Sequence, residues 1–129
     1  MPNPEIEEFA RILVQKVRDT AIQSCDMRLR QTAASATAKR WREAAGSGTP
    51  EAFAKMVIPD IVDETLASLL LAIDQQLLRL SFTASTGKSV DLVTEGLGEL
   101  SGWYKGGGGW CEKYSNERFV DDFSDLNPK

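Results

Sequence analysis

Three acids in one apolar stretch are the residues of this chain best spaced to do chemistry. Within Pro59–Asp74, Asp60, Asp63 and Glu64 stand at positions i, i+3 and i+4, so an α-helix sets their carboxylates on one face. Oxygen ligands so placed suit a hard cation such as Mg²⁺, which polarises phosphoryl oxygens and activates water. The same acids equally suit the first turn of a helix, where the dipole stabilises each by about 0.3–1 kcal/mol. Helix-start acids are the default reading, and a metal site is the alternative. The chain has no histidine, which removes Ser–His and Cys–His hydrolysis and every histidine-containing metal site.

Glu5 and Glu8 also share a helix face. Two helices that each present spaced carboxylates resemble, in spacing alone, the all-α nucleoside triphosphate pyrophosphatases, and that resemblance implies Mg²⁺ beside a substrate's phosphates. The family's ExxE and ExxD lie on neighbouring helices much closer in sequence than 5 and 60 are here. No lysine or arginine constellation accompanies the acids.

Three glycine patterns carry less. Thr86–Gly87–Lys88–Ser89 has Phe82 where a phosphate loop needs glycine, and Ser89–Val93 reads as strand rather than helix, so the stretch is a hairpin turn. Gly96, Gly98 and Gly102 miss the dinucleotide spacing and lack a βαβ unit. Gly106 to Gly109 reads as a flexible connector.

The second candidate surface is aromatic. Trp103, Tyr104, Trp110, Tyr114, Phe119 and Phe123 are six of the ten aromatics in the chain, set around the glycine run with Lys105, Lys113 and Arg118. Trp, Tyr and Arg dominate contact hot spots because they join large area to a polar handle. The residues expected to meet a ligand or partner are Trp103, Tyr104, Lys105, Trp110 and Arg118. The competing reading is that these rings anchor an irregular segment to the core.

Elements must hold these groups in place. Asn3–Pro4–Glu5 reads as a helix start, and Ile6, Phe9, Ala10, Leu13, Val14 and Val17 recur at helical spacing. That period predicts one long helix to about Leu29. A short helix over Lys39–Ala45 anchored by Trp41 follows a small polar linker, and Thr49–Pro50–Glu51 starts another. A kink or break is expected at Pro59, which lacks the backbone donor. From Leu66 to Ile73 every residue but Ser68 is apolar, so a central helix over about 60–76 should be covered on all sides. The period then changes to two, giving a β-hairpin over about 77–93. Short helical pieces and a loop occupy 94–123, including a turn of helix from Ser115 to Phe123, and 124–129 is a loose acidic tail. The fold class is α+β, mainly α-helical, in a single domain.

A net charge of −4 disfavours nucleic acid and anionic membranes as partners. The basic run Lys39–Arg42 reads as a solvated helix face with Trp41 turned inward. No apolar run approaches the roughly 18 residues of a membrane span, and no leader sequence is evident. Cys25 and Cys111 lie far apart without a CxxC, as expected of free thiols in a reducing cytoplasm. The expectation is a cytoplasmic, non-enzymatic accessory or protein-interaction protein, acting as a homo-oligomer or with a protein partner and without a cofactor. The alternatives are a helical Mg²⁺-dependent nucleotide phosphohydrolase using the acids and a small-ligand binder with an aromatic pocket.

Overall fold

The computed structural model describes residues 4–30 and 32–117. One continuous helical rod opens the chain: α1 (Pro4–Ile12), a π-helical segment (Leu13–Arg18) and α2 (Asp19–Arg28). The residues at both joints, Ile12 and Asp19, keep right-handed helical dihedrals. The expected long helix is therefore present, but its middle widens into a π segment that the apolar spacing did not foretell. Asn3, expected to cap it, lies outside the described residues.

The next two helices follow their caps. Ser35 Oγ accepts from the Ala38 amide at 3.1 Å and starts α3 (Ala36–Ser47), three residues earlier than the sequence suggests. Thr49 Oγ1 accepts from the Ala52 amide at 3.1 Å, and Pro50 occupies the first turn of α4 (Pro50–Asp74). The expected break at Pro59 does not occur, since α4 runs through it for 25 residues. The missing donor deprives only the Lys55 carbonyl of its partner, and the packed residues on either side hold the helix together.

α4 is the central element and touches the π segment, α2, α3, α5 and α6. The main core gathers Val17, Ala72, Ile73, Leu78 and Leu100, with Leu69, Leu70, Leu80 and Trp103 packed against it. Where α3 meets α4, Ala38 and Trp41 are buried as expected of an inward tryptophan. Coverage of α4 is nevertheless one-sided. Ile73 is 1% exposed, whereas Leu66 and Leu71 remain 40% and 42% exposed. A chain of this length has too few helices to surround a rod of 25 residues.

The hairpin is shorter than its sequence period. β1 (Ser81–Thr83) and β2 (Ser89–Asp91) pair antiparallel with Phe82 opposite Val90. The turn closes by Gly87 N donating to Ala84 O at 2.9 Å, with Gly87 at φ +91°, as a hairpin and not a phosphate loop requires. Leu78 and Leu80 leave the ladder to join the core.

Asp91 caps α5 (Leu92–Gly96) through the Val93 amide, and the chain then reverses at Leu97 and Gly98, both with positive φ. α6 (Leu100–Lys105) and α7 (Trp110–Tyr114) complete the described chain. The glycine run between them is a tight joint and not a loose connector. A Cβ on Gly109 would collide with the carbonyl oxygens of Trp103 and Gly106.

Two substitutions test this packing by denaturant unfolding. Ile73→Ala is expected to cost about 2–4 kcal/mol through the cavity it leaves. Pro59→Ala, by restoring the donor to Lys55 within an intact helix, is expected to add about 1–3 kcal/mol.

Candidate functional site

The acids of α4 each turn to a different neighbour. Asp60 takes two hydrogen bonds from the Arg40 guanidinium at 2.8 and 2.9 Å and one from the Trp41 indole N–H at 2.7 Å, which fastens α3. Glu64 Oε2 accepts from Arg28 at 2.7 Å and Lys105 at 3.2 Å, joining α2 and α6 across α4. Asp63 Oδ1 accepts from the Tyr104 hydroxyl at 2.7 Å, with the Cys111 thiol 3.8 Å away. Among the described residues no three acids, cysteines or histidines come together as metal ligands. Glu5 and Glu8 lie on α1 and are exposed.

A fourth acid had no role in the sequence reading. Asp74, the last residue of α4, accepts from the backbone amides of Leu100 and Ser101 at 2.8 and 3.0 Å and from Ser101 Oγ at 2.9 Å. It caps α6 from another helix, supplying the acceptor that Glu99 at the local cap position does not provide. Local sequence carries no signal for a cap borrowed from 26 residues away.

Charge follows from these contacts. Burial opposes ionisation of Glu64, but Lys105 and Arg28 outweigh it and hold its carboxyl below the ordinary 4.5. Burial first, and then the bond to Asp63, push the Tyr104 hydroxyl above its usual range, so it stays a neutral donor. Burial likewise raises both thiols, with Asp63 adding to the effect at Cys111. Neither cysteine is an activated nucleophile.

Two apolar depressions flank α4. Between α4 and the α6–α7 pair lies a cleft of about 750 Å³, floored by Ile58, Pro59 and Val62 and walled by Tyr104, Trp110, Cys111 and Tyr114. Ile58 and Val62, one turn apart, are 51% and 49% exposed. Between α4 and the α2 side of the first rod runs a groove of about 490 Å³, lined by Leu13, Val17, Ala21, Ile22, Phe53 and Ile61 among others. Cys25 lines the groove and Cys111 the cleft.

The aromatic candidates are divided by this geometry. Tyr104 and Trp110 line the cleft. Trp103 turns to the core, its ring centroid 6.1 Å from that of Trp110, and Lys105 turns to Glu64. Arg118, Phe119 and Phe123 lie outside the described residues, as does most of the helical turn expected from Ser115. Sequence reasoning missed Ile58, Val62 and Tyr114 as lining. The i, i+4 pair Ile58 and Val62 was the available signal, hidden by the break expected at Pro59 between them.

The pH dependence of the Glu64 brace has a definite sign. Because its folded value lies below 4.5, the brace adds stability above that pH and loses it as pH falls through the folded value. Glu64→Gln is expected to cost about 1–3 kcal/mol at neutral pH, since two cations lose their acceptor. Unfolding measured in acid should show wild type and variant converging; a gap that persists there would contradict the assignment.

No protein-family model, characterised protein or solved structure matches this chain, and its function is read from its own side chains.

Proposed function

We propose that this is a non-enzymatic interaction protein that receives an apolar segment of a protein partner in the cleft between α4 and α7. One observation carries the reading: Ile58, Val62, Trp110 and Tyr114 form a continuous apolar surface that no other described element covers. Exposed apolar patches of this kind mark contact sites, and a tryptophan and tyrosines at the rim are the types that dominate hot spots. The tight glycine joint fixes the angle of the Trp110 helix against Trp103, so the cleft is preformed. The carboxylates nearby are paired with structural donors, Asp63 with Tyr104 and Glu64 with Lys105, and among the described residues no three acids, cysteines or histidines group as metal ligands, which supports a binding role.

A second reading is a small-ligand site, favoured by a volume of about 750 Å³ within the usual range for ligand cavities. Such sites fix orientation with a few convergent polar groups. Here Asp63 is turned to Tyr104, which supports the protein partner over the small molecule.

Affinity capture from the source cell distinguishes the readings. Wild type is expected to retain a protein that both Trp110→Ala and Val62→Asp lose, with unfolding temperatures of the two variants close to wild type. Equal capture by all three would overturn the proposal, and a small molecule carried by wild type in native mass spectrometry would favour the ligand reading. Mg²⁺ and Mn²⁺ are expected to leave the melting temperature unchanged. Stabilisation by either ion that disappears in Asp63→Ala would instead support a phosphohydrolase, because an ion bound only to the native state must raise it.

A further inference from the structure

The described residues stop at the cleft, and the residues that follow in the sequence carry an apolar face of matching spacing. Ser115 and Glu117 line the cleft beside Trp110 and Tyr114, and Tyr114 is 70% exposed. Ser115 has an extended backbone, φ −73° and ψ 141°, and its Oγ accepts from the Glu117 amide at 3.0 Å. An N-cap makes this bond to the second residue of its helix, so Ser115 is set to start a helix from Asn116. Beyond it, Phe119, Val120, Phe123 and Leu126 share one face at helical period, and Asp121, Asp122 and Asp125 share the other. Phe119 and Phe123 stand at i, i+4, which is the spacing of Ile58 and Val62 on the cleft floor.

We propose that residues 118–126 form an amphipathic helix that lays Phe119 and Phe123 into the cleft over Ile58 and Val62, so that the chain fills its own partner site. Connection supports this occupant over any other. Even fully extended, the stretch from 118 to 123 spans only about 20 Å, which keeps Phe123 close to Glu117 on the cleft wall. A tether this short gives an effective concentration on the order of millimolar, so a weak contact is enough to fill the site. Charge selects the face that turns in. The cleft lining carries two carboxylates, Asp63 and Glu117, which repel Asp121, Asp122 and Asp125. With the rings inward, those three acids face solvent. Trp110 and Tyr114 then offer the phenylalanines rings to pack against. A partner must displace the segment, which makes the segment its competitor and its release the step that opens the site.

The two thiols of the full chain supply the test, because Cys111 lines the cleft and Cys25 lines the groove on the other side of α4. Alkylation by iodoacetamide, followed at each cysteine by peptide mass spectrometry, reads the cover over each surface. Phe119→Ser combined with Phe123→Ser is expected to speed labelling of Cys111 about tenfold, the factor for a cleft that stands open about a tenth of the time in wild type. Labelling of Cys25 is expected to stay unchanged, and Asp122→Ser, on the solvent face, to leave both rates at wild type. Equal Cys111 rates in wild type and the ring variant overturn the proposal. An equal rise at Cys25 overturns it too, since that reports a loosened fold, as does a rise of the same size from Asp122→Ser. The inference rests on the cleft as a partner site, and capture separates the two failures: the ring variant is expected to retain more partner than wild type. Capture lost in Trp110→Ala, with Cys111 indifferent to the rings, would refute the competing segment and keep the partner site. A Cys111 response to the rings, with capture indifferent to Trp110, would keep the segment in the cleft and refute the partner site.

Discussion

A carboxylate taken out of water costs several kcal/mol unless donors meet it, and α4 brings four of them inward at Asp60, Asp63, Glu64 and Asp74. Each one is met by donors from other helices: α3 at Asp60, α2 and α6 at Glu64, and α6 again at Asp63 and Asp74. Apolar contact alone is non-directional and would let short helices slide along a rod as uniformly apolar as α4. The carboxylates remove that freedom, because a helix displaced by one turn would leave a half-buried charge unpaired. They therefore set the register of the fold, and the apolar side chains supply its cohesion.

The arrangement has a consequence for function. With its neighbours fixed by the acids, α4 cannot be wrapped evenly, and the rows through Val57 and Ile61 and through Ile58 and Val62 open onto the groove and the cleft. The protein thus presents two apolar surfaces on a braced scaffold. Preformed surfaces bind with little ordering cost, which is the physical advantage of such a scaffold for an interaction protein.

Much of the fold was legible from local rules. Thr49 caps its helix, Trp41 turns inward, and the change of period after Gln76 marks the hairpin. These are features that neighbouring residues decide among themselves. What was illegible depended on distant partners. The passage of α4 through Pro59 is paid for by packing on both sides of it, which no local propensity reports. Asp60, Asp63 and Glu64 read locally as helix-start acids, with a shared metal as the alternative. But α4 begins at Pro50 and places them in its interior, where each is paired across to other helices. Adjacent rings of the aromatic segment separate, Trp103 to the core and Tyr104 to the cleft, because successive residues of α6 face different sides. The glycine run misled for a related reason: glycine serves close backbone approach as readily as mobility, and only the position of Trp103 decides between them.

The carboxylates of α4 act as braces, and a double-mutant cycle at Asp63 and Tyr104 measures that most directly. Asp63→Asn and Tyr104→Phe, singly and together, would be unfolded in denaturant. Braces predict coupling of about 1 kcal/mol or more, with the double variant little worse than the more damaging single one. Additive losses, or a gain in stability from Asp63→Asn alone, would contradict it and return the acid to a role outside the fold.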